Sequence, residues 1–288
     1  MTTPQVTAVL VNYNAGPELR RALQSIAAEM SGQPWEAFVI DNASSDGSGA
    51  IVEEFAPQAR LVANQENVGF ARGINQGLRA ASAPRVLIMN PDCRLVAGSM
   101  AALQAALDAH PSCAIVGPRI LNPDGSVQGS ARGDPNMFTG LFGRTTLLRR
   151  LLPMLSVSKR NVVSAEPAGS DGETVVVDWL SGACMLARRD ALEKVNGFDE
   201  RYFLYWEDAD LCRRLRDAGY QVRYLPGATA IHIVAHSSQR AQSVAIRAFH
   251  ESAYLYYSTH VAQRRLLTRI VARGLLKARC YIRLRSAS

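Results

Sequence analysis

The first 116 residues alternate short β-rich runs with helix-like segments, and this pattern constrains the fold more than any other feature. The runs typical of strands are Val6–Val11, Phe38–Ile40, Leu61–Val62, Val86–Met89 and Ala114–Val116. Between them, helical spacing of apolar residues covers Pro17–Met30, Ser48–Phe55, Ala71–Ala80 and Ser99–Ala109. We expect Ser48 to cap the second of these helices. The alternation predicts an α/β fold with a mostly parallel central sheet flanked by helices.

Polar residues follow three of these strands at the point where each strand ends. They form the clusters Asn12-Tyr13-Asn14, Asp41–Gly47 and Asn90-Pro91-Asp92. Because Asn, Asp, Ser and Gly are ordinary turn formers, each cluster alone has a purely structural explanation. In a parallel α/β sheet, however, ligands bind beyond the carboxyl ends of the strands. Three clusters at one edge therefore predict a binding site there.

A second candidate site follows an aromatic cluster in the run 202–214. Glu207, Asp208 and Asp210 come directly after Trp206 and before an amphipathic segment, which predicts a helix start. The helix dipole favours the charged form of a carboxylate at this place, so it stays available as a proton acceptor. Aromatic walls beside the acid suit the flat apolar faces of a sugar ring. The alternative is a capped surface helix beside a core aromatic patch.

Composition sets limits on the protein class. Apolar residues make up 48% of the 288 residues, which fits one large α/β domain with an appendage. We place this domain at 1–240, with a Gly- and Pro-rich excursion over 122–174, and a tail at 241–288. The apolar runs are too short to cross a bilayer, and no signal peptide is indicated. Five widely spaced cysteines without a Cys-x-x-Cys pair fit a reducing cytoplasm.

Positive charge is concentrated in the C-terminal tail. Residues 239–288 carry a net charge of +9, whereas the remaining 238 residues sum to −2. This distribution argues against nucleic acid as a partner of the whole protein. The tail is predicted to be helical, with a basic stripe (Arg265, Arg269, Arg273, Lys277) and an opposing apolar stripe (Leu267, Val271, Leu275, Ala278, Ile282). This pattern is typical of a helix in an anionic membrane interface; the alternative is a terminal helix packed on its own domain.

Several side chains at the predicted edge have a chemistry that suits a nucleotide ligand. Asp92 follows a strand and Pro91, and a carboxylate held there can bind Mg²⁺ or Mn²⁺. His232 follows the short strand Thr229–Ile231 and is a candidate second ligand, although a lone histidine is more often a core residue. Asp41 could accept a hydrogen bond from a nucleobase imide. The loop 66–77 has glycines that permit close approach of its backbone to an anion.

Taken in order, these motifs resemble glycosyltransferase family 2, and in particular its bacterial rhamnosyltransferase-like members. The resemblance spans about residues 5–240. It is carried by Val11-Asn-Tyr-Asn14, Asp41-Asn-Ala-Ser-Ser-Asp-Gly47, Glu66-Asn-Val-Gly-Phe70 with Asn75 and Gly77, Asn90-Pro-Asp92, and Trp206-Glu-Asp-Ala-Asp-Leu-Cys212. It implies a GT-A type fold, a nucleotide-diphospho-sugar donor (dTDP- or UDP-linked), a divalent metal, and inversion at the anomeric carbon.

The resemblance also implies a role for each matching residue. Asp208 would be the general base, with Glu207 beside it in the catalytic pair. Asp92 and His232 would hold the metal. Donor-binding residues would be Asn12, Tyr13, Asn14, Asp41, Asn67, Gly69, Phe70, Asn75, Asn90 and Asp92. Acceptor-binding residues would be Trp179, Gly182, Trp206 and Asp210.

The implied function is transfer of a deoxyhexose such as rhamnose to a cell-surface glycan or lipid-linked acceptor, at the inner face of the bacterial cytoplasmic membrane. Two departures from the family pattern bear on the metal: Asn90 stands where a second aspartate is common, and Ile233 follows His232 where a polar residue is frequent. A galactofuranosyl- or other hexosyltransferase remains an alternative. A sugar nucleotidyltransferase fits poorly, because Asn12-Tyr13-Asn14-Ala15-Gly16-Pro17 is not its Gly-rich activation loop. The Glu207-Asp208 pair argues against a non-catalytic sugar-binding protein.

Overall fold

The computed structural model describes residues 3–134, 173–233 and 242–286. Its strands are β1 (Val6–Asn12), β2 (Trp35–Asp41), β3 (Ala59–Ala63), β4 (Arg85–Met89), β5 (Cys93–Leu95), β6 (Cys113–Leu121), β7 (Val127–Gln128), β8 (Ala131–Arg132), β9 (Val175–Val177), β10 (Trp179–Leu180), β11 (Cys184–Arg188) and β12 (Gln221–His232). Its α-helices are α1 (Pro17–Glu29), α2 (Phe70–Ala80), α3 (Ser99–Ala109), α4 (Arg189–Lys194), α5 (Glu207–Asp217), α6 (Gln242–Tyr256) and α7 (Leu266–Arg285). A 3₁₀ helix covers Ser48–Phe55, and a π-helical turn covers Tyr257–Val261.

The central sheet has the strand order β3-β2-β1-β4-β11-β6-β12-β5. The four strands β3, β2, β1 and β4 are parallel, as the alternation predicted. Beyond them the sheet is mixed, because β11 runs antiparallel to both β4 and β6. β11 starts at Cys184, which pairs with Met89 at the carboxyl end of β4, so the chain enters it from the opposite direction. The predicted parallel arrangement therefore applies to the N-terminal half of the sheet, and β6 and β12 form a further parallel pair.

Helices cover both faces of this sheet. On one face Leu19 and Leu23 of α1 pack in one hydrophobic cluster with Leu103 of α3. On the other face Ile74 of α2 and Leu211 of α5 lie in a second cluster. Every residue of β1 is buried, as expected for a central strand covered on both sides.

Helix α2 lies unusually close to β1 because two of its residues are glycines. A Cβ atom at Gly77 would lie 2.3 Å from Cγ1 of Val9, and one at Gly73 would lie 2.8 Å from Cγ2 of Val11. No side chain fits at either position without displacing β1. The close contact fixes the start of α2, which belongs to the predicted site.

One local prediction was wrong, and one predicted strand is part of a longer strand. Ser48 does not cap the 3₁₀ helix; the cap position is Gly47, with φ 76°, and Oδ1 of Asp46 accepts a hydrogen bond from the Ser48 amide at 3.0 Å. The strand predicted at Thr229–Ile231 is the end of the twelve-residue β12. A register irregularity between Leu225 and Thr229 interrupts the strand pattern there.

The C-terminal hairpin, which we define as residues 242–286, is helical as predicted. Helix α7 packs on α6 and buries Ala272 and Leu276. The predicted apolar stripe points away from the domain, since Leu267 is 79% exposed and Val271 61% exposed. The predicted apolar stripe is therefore exposed, while Ala272 and Leu276 form the buried face of α7.

Other predictions meet the limits of the described residues. Most of the excursion predicted over 122–174 lies outside them, and so does the domain boundary at 240. No helix in the three described ranges is both long and apolar enough to cross a bilayer. The five cysteines are free thiols, and four of them are buried.

Candidate active site

The carboxyl ends of β1, β2 and β4 form one edge of the sheet, which we call the carboxyl edge. Asn12 and Asp41 end β1 and β2 as direct register partners. Asn90 and Asp92 follow β4, which lies on the other side of β1. The three polar clusters therefore lie side by side, as the sequence predicted.

Asn12 and Asp41 are held by one hydrogen-bond network. The buried amide of Asn12 donates to Oδ1 of Asp41 at 2.6 Å and to the Ser48 hydroxyl at 2.8 Å. Oδ2 of Asp41 accepts a bond from the Ser44 amide at 3.0 Å. Asp41 is 8% exposed, so its carboxylate is rigid and largely enclosed. Each carboxylate oxygen can accept more than one bond, which leaves capacity for a base imide.

The turn after β1 is fixed by Asn14. Its backbone is left-handed at φ 53°, and its Oδ1 accepts a hydrogen bond from the Ser45 amide at 2.8 Å. The backbone of the Asn12-Tyr13-Asn14 segment is thus tied to the loop after β2, with Tyr13 half-buried between the two asparagines.

In the loop before α2, one position has a backbone conformation and surroundings that only glycine fits. Gly69 has φ 86°, and a Cβ atom there would lie 2.5 Å from the carbonyl oxygen of Phe203. Oδ1 of Asn67 accepts a bond from the Gly69 amide at 3.0 Å, and the Phe70 amide donates to the same Phe203 carbonyl at 2.7 Å. This loop therefore joins the first half of the chain to the segment before α5.

Asn75, predicted to contact the donor, makes its observed hydrogen bonds within the chain. Its amide donates to the Phe198 carbonyl at 2.8 Å and to Oε1 of Glu200 at 3.1 Å, while its Oδ1 accepts from the Phe198 amide at 2.9 Å. The side chain is 7% exposed and both of its amide protons are used. It connects α2 to the turn before α5.

Asp92 and His232 lie together, as required of two metal ligands. Nε2 of His232 lies 3.2 Å from Oδ1 of Asp92 and 3.3 Å from the Asn90 amide nitrogen. The Gln128 amide donates to the Asn122 side chain and to the His232 carbonyl, each at 2.8 Å, so its Oε1 is an acceptor. Nδ1 of His232, 3.0 Å from that Oε1, therefore carries the proton. Nε2 faces the Asp92 carboxylate and the Asn90 amide group.

This arrangement fits a divalent cation bound through two protein ligands. A neutral imidazole oriented through its second nitrogen is the form in which histidine binds metals. In the described ranges no group of three or more His, Cys, Asp or Glu residues could hold a metal ion. Mg²⁺ is commonly bound by one or two protein groups together with substrate phosphates, and the same division of ligands fits here.

The predicted base lies at the first turn of α5. Oδ2 of Asp208 accepts a hydrogen bond from the Gly182 amide at 3.0 Å. A Cβ atom at Gly182 would lie 3.5 Å from Cβ of Asp208 and 3.7 Å from the Phe70 ring. Asp208 is half-buried at the amino end of the helix, where the dipole favours its ionised form.

Glu207 differs from Asp208 in its burial and hydrogen bonding. It is 6% exposed, and in the described part of the chain its Oε2 has no hydrogen-bond partner. Burial, and secondly the nearby Asp208 carboxylate, raise the pKa of Glu207 well above its usual range. Glu207 is therefore the enclosed member of the pair, and Asp208 is the more accessible one.

The residue before this pair adopts an unusual backbone conformation. Trp206 is left-handed at φ 69°, and so is Tyr205 at φ 67°. Such conformations cost non-glycine residues about 1–3 kcal/mol each. The indole of Trp206 packs on aromatic rings of the C-terminal hairpin, so the predicted acceptor-side residue also has a structural contact.

Asp210, predicted on the acceptor side, is instead enclosed. It is 1% exposed, and Oδ2 is 2.7 Å from Nε of Arg214, while Oδ1 is 2.7 Å from Nε2 of His260. Its oxygens face these two partners. Trp179 is half-buried, under the guanidinium of Arg132, and its indole donates to the Gly133 carbonyl at 3.0 Å.

Hydrogen bonds connect the segments that carry the predicted general base, the predicted metal ligands and Asp41, which is predicted to bind the nucleobase. The amide of Asn42, next to Asp41, donates to the Gly69 carbonyl at 3.2 Å, and Gly69 leads into Phe70. The Asn90 amide donates to the Ala183 carbonyl at 2.9 Å, next to Gly182. The two halves of the chain therefore meet along one contiguous edge.

Comparison with known proteins identifies the family. Residues 7–195 match the model of glycosyl transferase family 2, and residues 160–272 match that of glycosyl transferase family group 2. The chain belongs to glycosyltransferase family 2.

Two curated proteins to which the chain is similar are rhamnosyltransferases. The chain is 34% identical to the N-acetylglucosaminyl-diphospho-decaprenol L-rhamnosyltransferase of Mycobacterium tuberculosis, over 99% of this chain and 94% of that protein. It is also 38% identical to rhamnosyltransferase WbbL of Escherichia coli K12, over 40% of each chain.

A solved structure shows the same fold. It is that of GalNAc-T7 with UDP, GalNAc and Mn²⁺, with a TM-score of 0.61 at 14% identity; the match covers 82% of this chain and 45% of that one. The predicted GT-A type fold is confirmed.

Sequence reasoning missed several residues that shape the site. Gln128, which sets the histidine tautomer, lies in a two-residue strand that no hydrophobic pattern marks. Phe203 acts through its backbone carbonyl, and a carbonyl leaves no sequence signal. His260 belongs to the tail, for which the sequence analysis predicted no contact with the site.

Proposed function

We propose that this protein is a metal-dependent inverting glycosyltransferase that moves rhamnose, or another deoxyhexose, from a dTDP- or UDP-linked donor. The acceptor is a hydroxyl of a cell-surface glycan precursor, in the first instance a lipid-linked N-acetylglucosaminyl diphosphate. The sugar and acceptor follow the Mycobacterium tuberculosis relative, which aligns with almost the whole chain. The observation that supports this chemistry is the proximity of three groups along one edge. They are Asp208, proposed as the general base, the Asp92–His232 pair, proposed as the metal ligands, and Asp41, proposed to bind the nucleobase.

In the proposed reaction Asp41 accepts a hydrogen bond from the nucleobase, and the loop around Gly69 borders the donor. Asp92 and His232 would hold Mg²⁺ or Mn²⁺, which supplies positive charge beside the diphosphate. Asp208 takes the proton from the acceptor hydroxyl as its oxygen attacks the anomeric carbon. The bond from that carbon to the diphosphate oxygen breaks on the opposite side, which inverts the configuration.

The decisive experiment pairs two substitutions on the same helix. Asp208→Asn removes the base and should lower kcat about 10²–10⁴-fold. Donor binding with Mn²⁺, measured by thermal shift, should be retained, because Asp208 does not touch the nucleotide in this scheme. Asp217→Asn, at the other end of α5 and paired with Arg213, is the matched control and should retain activity.

A panel of dTDP- and UDP-linked sugars, assayed with the lipid-linked acceptor, identifies the donor. Preference for dTDP-rhamnose supports the proposal. Preference for UDP-galactofuranose or a donor of another hexose would overturn rhamnose as the proposed donor sugar. Undiminished turnover by Asp208→Asn would overturn the assignment of the base. Failure to bind any of these donors would overturn the proposed transferase activity.

We further propose that the C-terminal hairpin docks on an anionic membrane surface. The apolar residues of α7 that face solvent are Leu266, Leu267, Ile270, Val271, Leu275 and Ile282, each between 52% and 79% exposed. The basic stripe at Arg265, Arg269, Arg273 and Lys277 lies beside them. An exposed apolar face flanked by cations is the pattern of an interfacial helix, and anionic lipid headgroups complement its charge.

A further inference from the structure

The loop that presents the base is held from outside the catalytic sheet. Tyr205 and Trp206, both left-handed, immediately precede Glu207 and Asp208. A backbone of this kind persists only where its surroundings enforce it. The contacts that enforce it come from the C-terminal hairpin.

Aromatic rings make the first set of contacts. The Trp206 indole lies 5.4 Å from the Tyr256 ring and 6.0 Å from the Phe249 ring, measured between centroids. The Tyr205 ring lies 6.0 Å from the same Phe249 ring in an edge-on arrangement. Helix α6 thus packs on both strained residues at once.

Two hydrogen bonds make the second set. The Ser252 hydroxyl donates to the Leu204 carbonyl at 2.9 Å, just before the strained pair. His260, 8% exposed, lies 2.7 Å from Oδ1 of Asp210, just after the base. The hairpin therefore holds the loop on both sides of Asp208.

His260 closes a buried cluster around Asp210. Arg214 lies 2.7 Å from the second carboxylate oxygen, and the Tyr202 hydroxyl is 3.5 Å from the first. Asp210 lies two residues beyond Asp208 on the first turn of α5. A shift of Asp210 would therefore rotate that turn and move the base relative to Gly182.

We propose that His260 is a positioning residue for catalysis, through which the C-terminal hairpin sets the location of the Asp208 carboxylate. This inference rests on the proposed function, since it assumes that Asp208 is the base. The hairpin is accordingly part of the catalytic unit as well as a docking element.

The test separates positioning from general stability with two pairs of variants. His260→Ala removes the bond to Asp210, and His260→Gln replaces it with an amide donor of similar reach. We expect His260→Ala to lower kcat about 10–100-fold, with acceptor KM and the donor dissociation constant within about twofold of wild type, and His260→Gln to recover most of the loss.

The second pair uses two hairpin serines that each donate to a backbone carbonyl. Ser252→Ala loses the bond to Leu204, whereas Ser258→Ala loses a bond to Leu255 inside the hairpin itself. We expect a several-fold fall in kcat for the first and no change for the second. This pair keeps the proposal testable even where His260→Ala fails to fold.

The outcomes distinguish this inference from the proposed function. If wild-type protein transfers no sugar, the proposed function fails. If wild-type protein is active and both His260→Ala and Ser252→Ala match it, the positioning role is overturned. A parallel loss of kcat and donor affinity, without recovery by His260→Gln, also overturns it, because it indicates a general structural role.

Discussion

At the scale of single residues, the site depends on side chains whose state is set by their neighbours. Asp208 and Glu207 are adjacent in sequence, yet one lies half-buried at the cleft and the other is enclosed. His232 has one tautomer because the Gln128 amide is already fixed by two other bonds. Residue type alone specifies neither state.

Glu207 gives a pH-dependent prediction. Folding raises the pKa of Glu207. Above about pH 4.3 its carboxyl group therefore keeps a proton in the folded protein, whereas in the unfolded chain it has lost that proton. Stability is therefore lost as pH rises from that value toward the folded-state pKa, by about 1.4 kcal/mol per pH unit. Glu207→Gln removes this dependence, so the variant's thermal midpoint relative to wild type should increase from pH 5 to pH 8. A constant difference across this range would show that Glu207 is ionised.

Gln128 gives a prediction about metal affinity. Gln128→Leu removes the acceptor of the His232 Nδ1 proton, and loss of such an outer partner typically weakens metal binding 10–100-fold. Titration of Mn²⁺ in the presence of nucleotide diphosphate, followed by electron paramagnetic resonance, measures the change. Gln33→Leu, in a pair with Gln104, is the control and should bind Mn²⁺ as wild type does. Equal Mn²⁺ affinities for the two variants would show that metal binding does not depend on the hydrogen bond between Gln128 and His232.

At the scale of helices and strands, the sequence predicted the parallel half of the sheet well. Three short apolar runs ended in polar clusters, and the structure places those clusters at one edge. The direction of β11 was not predictable, because no hydrophobic pattern in residues 122–174 indicates from which edge the chain re-enters the sheet. The contacts of Asn75 and Asp210 within the chain were also not predictable, because polar residues inside a family motif look the same whether they bind a ligand or another part of the chain.

The contact between α2 and β1 makes a prediction with its own control. Alanine favours a helix over glycine by about 1 kcal/mol. At Gly77, however, the added methyl group would lie 2.3 Å from Val9, so Gly77→Ala should destabilise the protein by about 1–3 kcal/mol. Gly274→Ala, on α7 with nothing within 4 Å, should be neutral or stabilising. Chemical denaturation of both variants measures the difference, and destabilisation by both would refute the argument from packing.

At the scale of the whole molecule, a nearly neutral catalytic domain carries a basic helical hairpin. The charge asymmetry was visible in the sequence, and so were the two stripes of α7. The sequence did not show which face of α7 packs, because Ala272 and Leu276 belong to neither stripe. The outward direction of the apolar stripe is what makes the hairpin suitable for docking.

Membrane docking predicts a charge-dependent partition. Reversal of two stripe charges in Arg273→Glu/Lys277→Glu should reduce binding to phosphatidylglycerol vesicles at least tenfold at low salt, since each basic residue contributes about 1 kcal/mol. Co-sedimentation measures it. Arg60→Glu/Arg79→Glu, on exposed residues outside the hairpin, makes the same change in net charge and should bind vesicles far better. Equal binding by both double variants would refute docking through α7, as would self-association that buries this face.

Trp206 also provides an optical probe. The chain has three tryptophans, at 35, 179 and 206, and only the last directly precedes the base. Its indole lies between the loop and the rings of the hairpin, so its fluorescence should change whenever that junction opens or tightens. With the other two replaced by phenylalanine, emission spectra could report in real time whether contact with lipid reaches the catalytic centre.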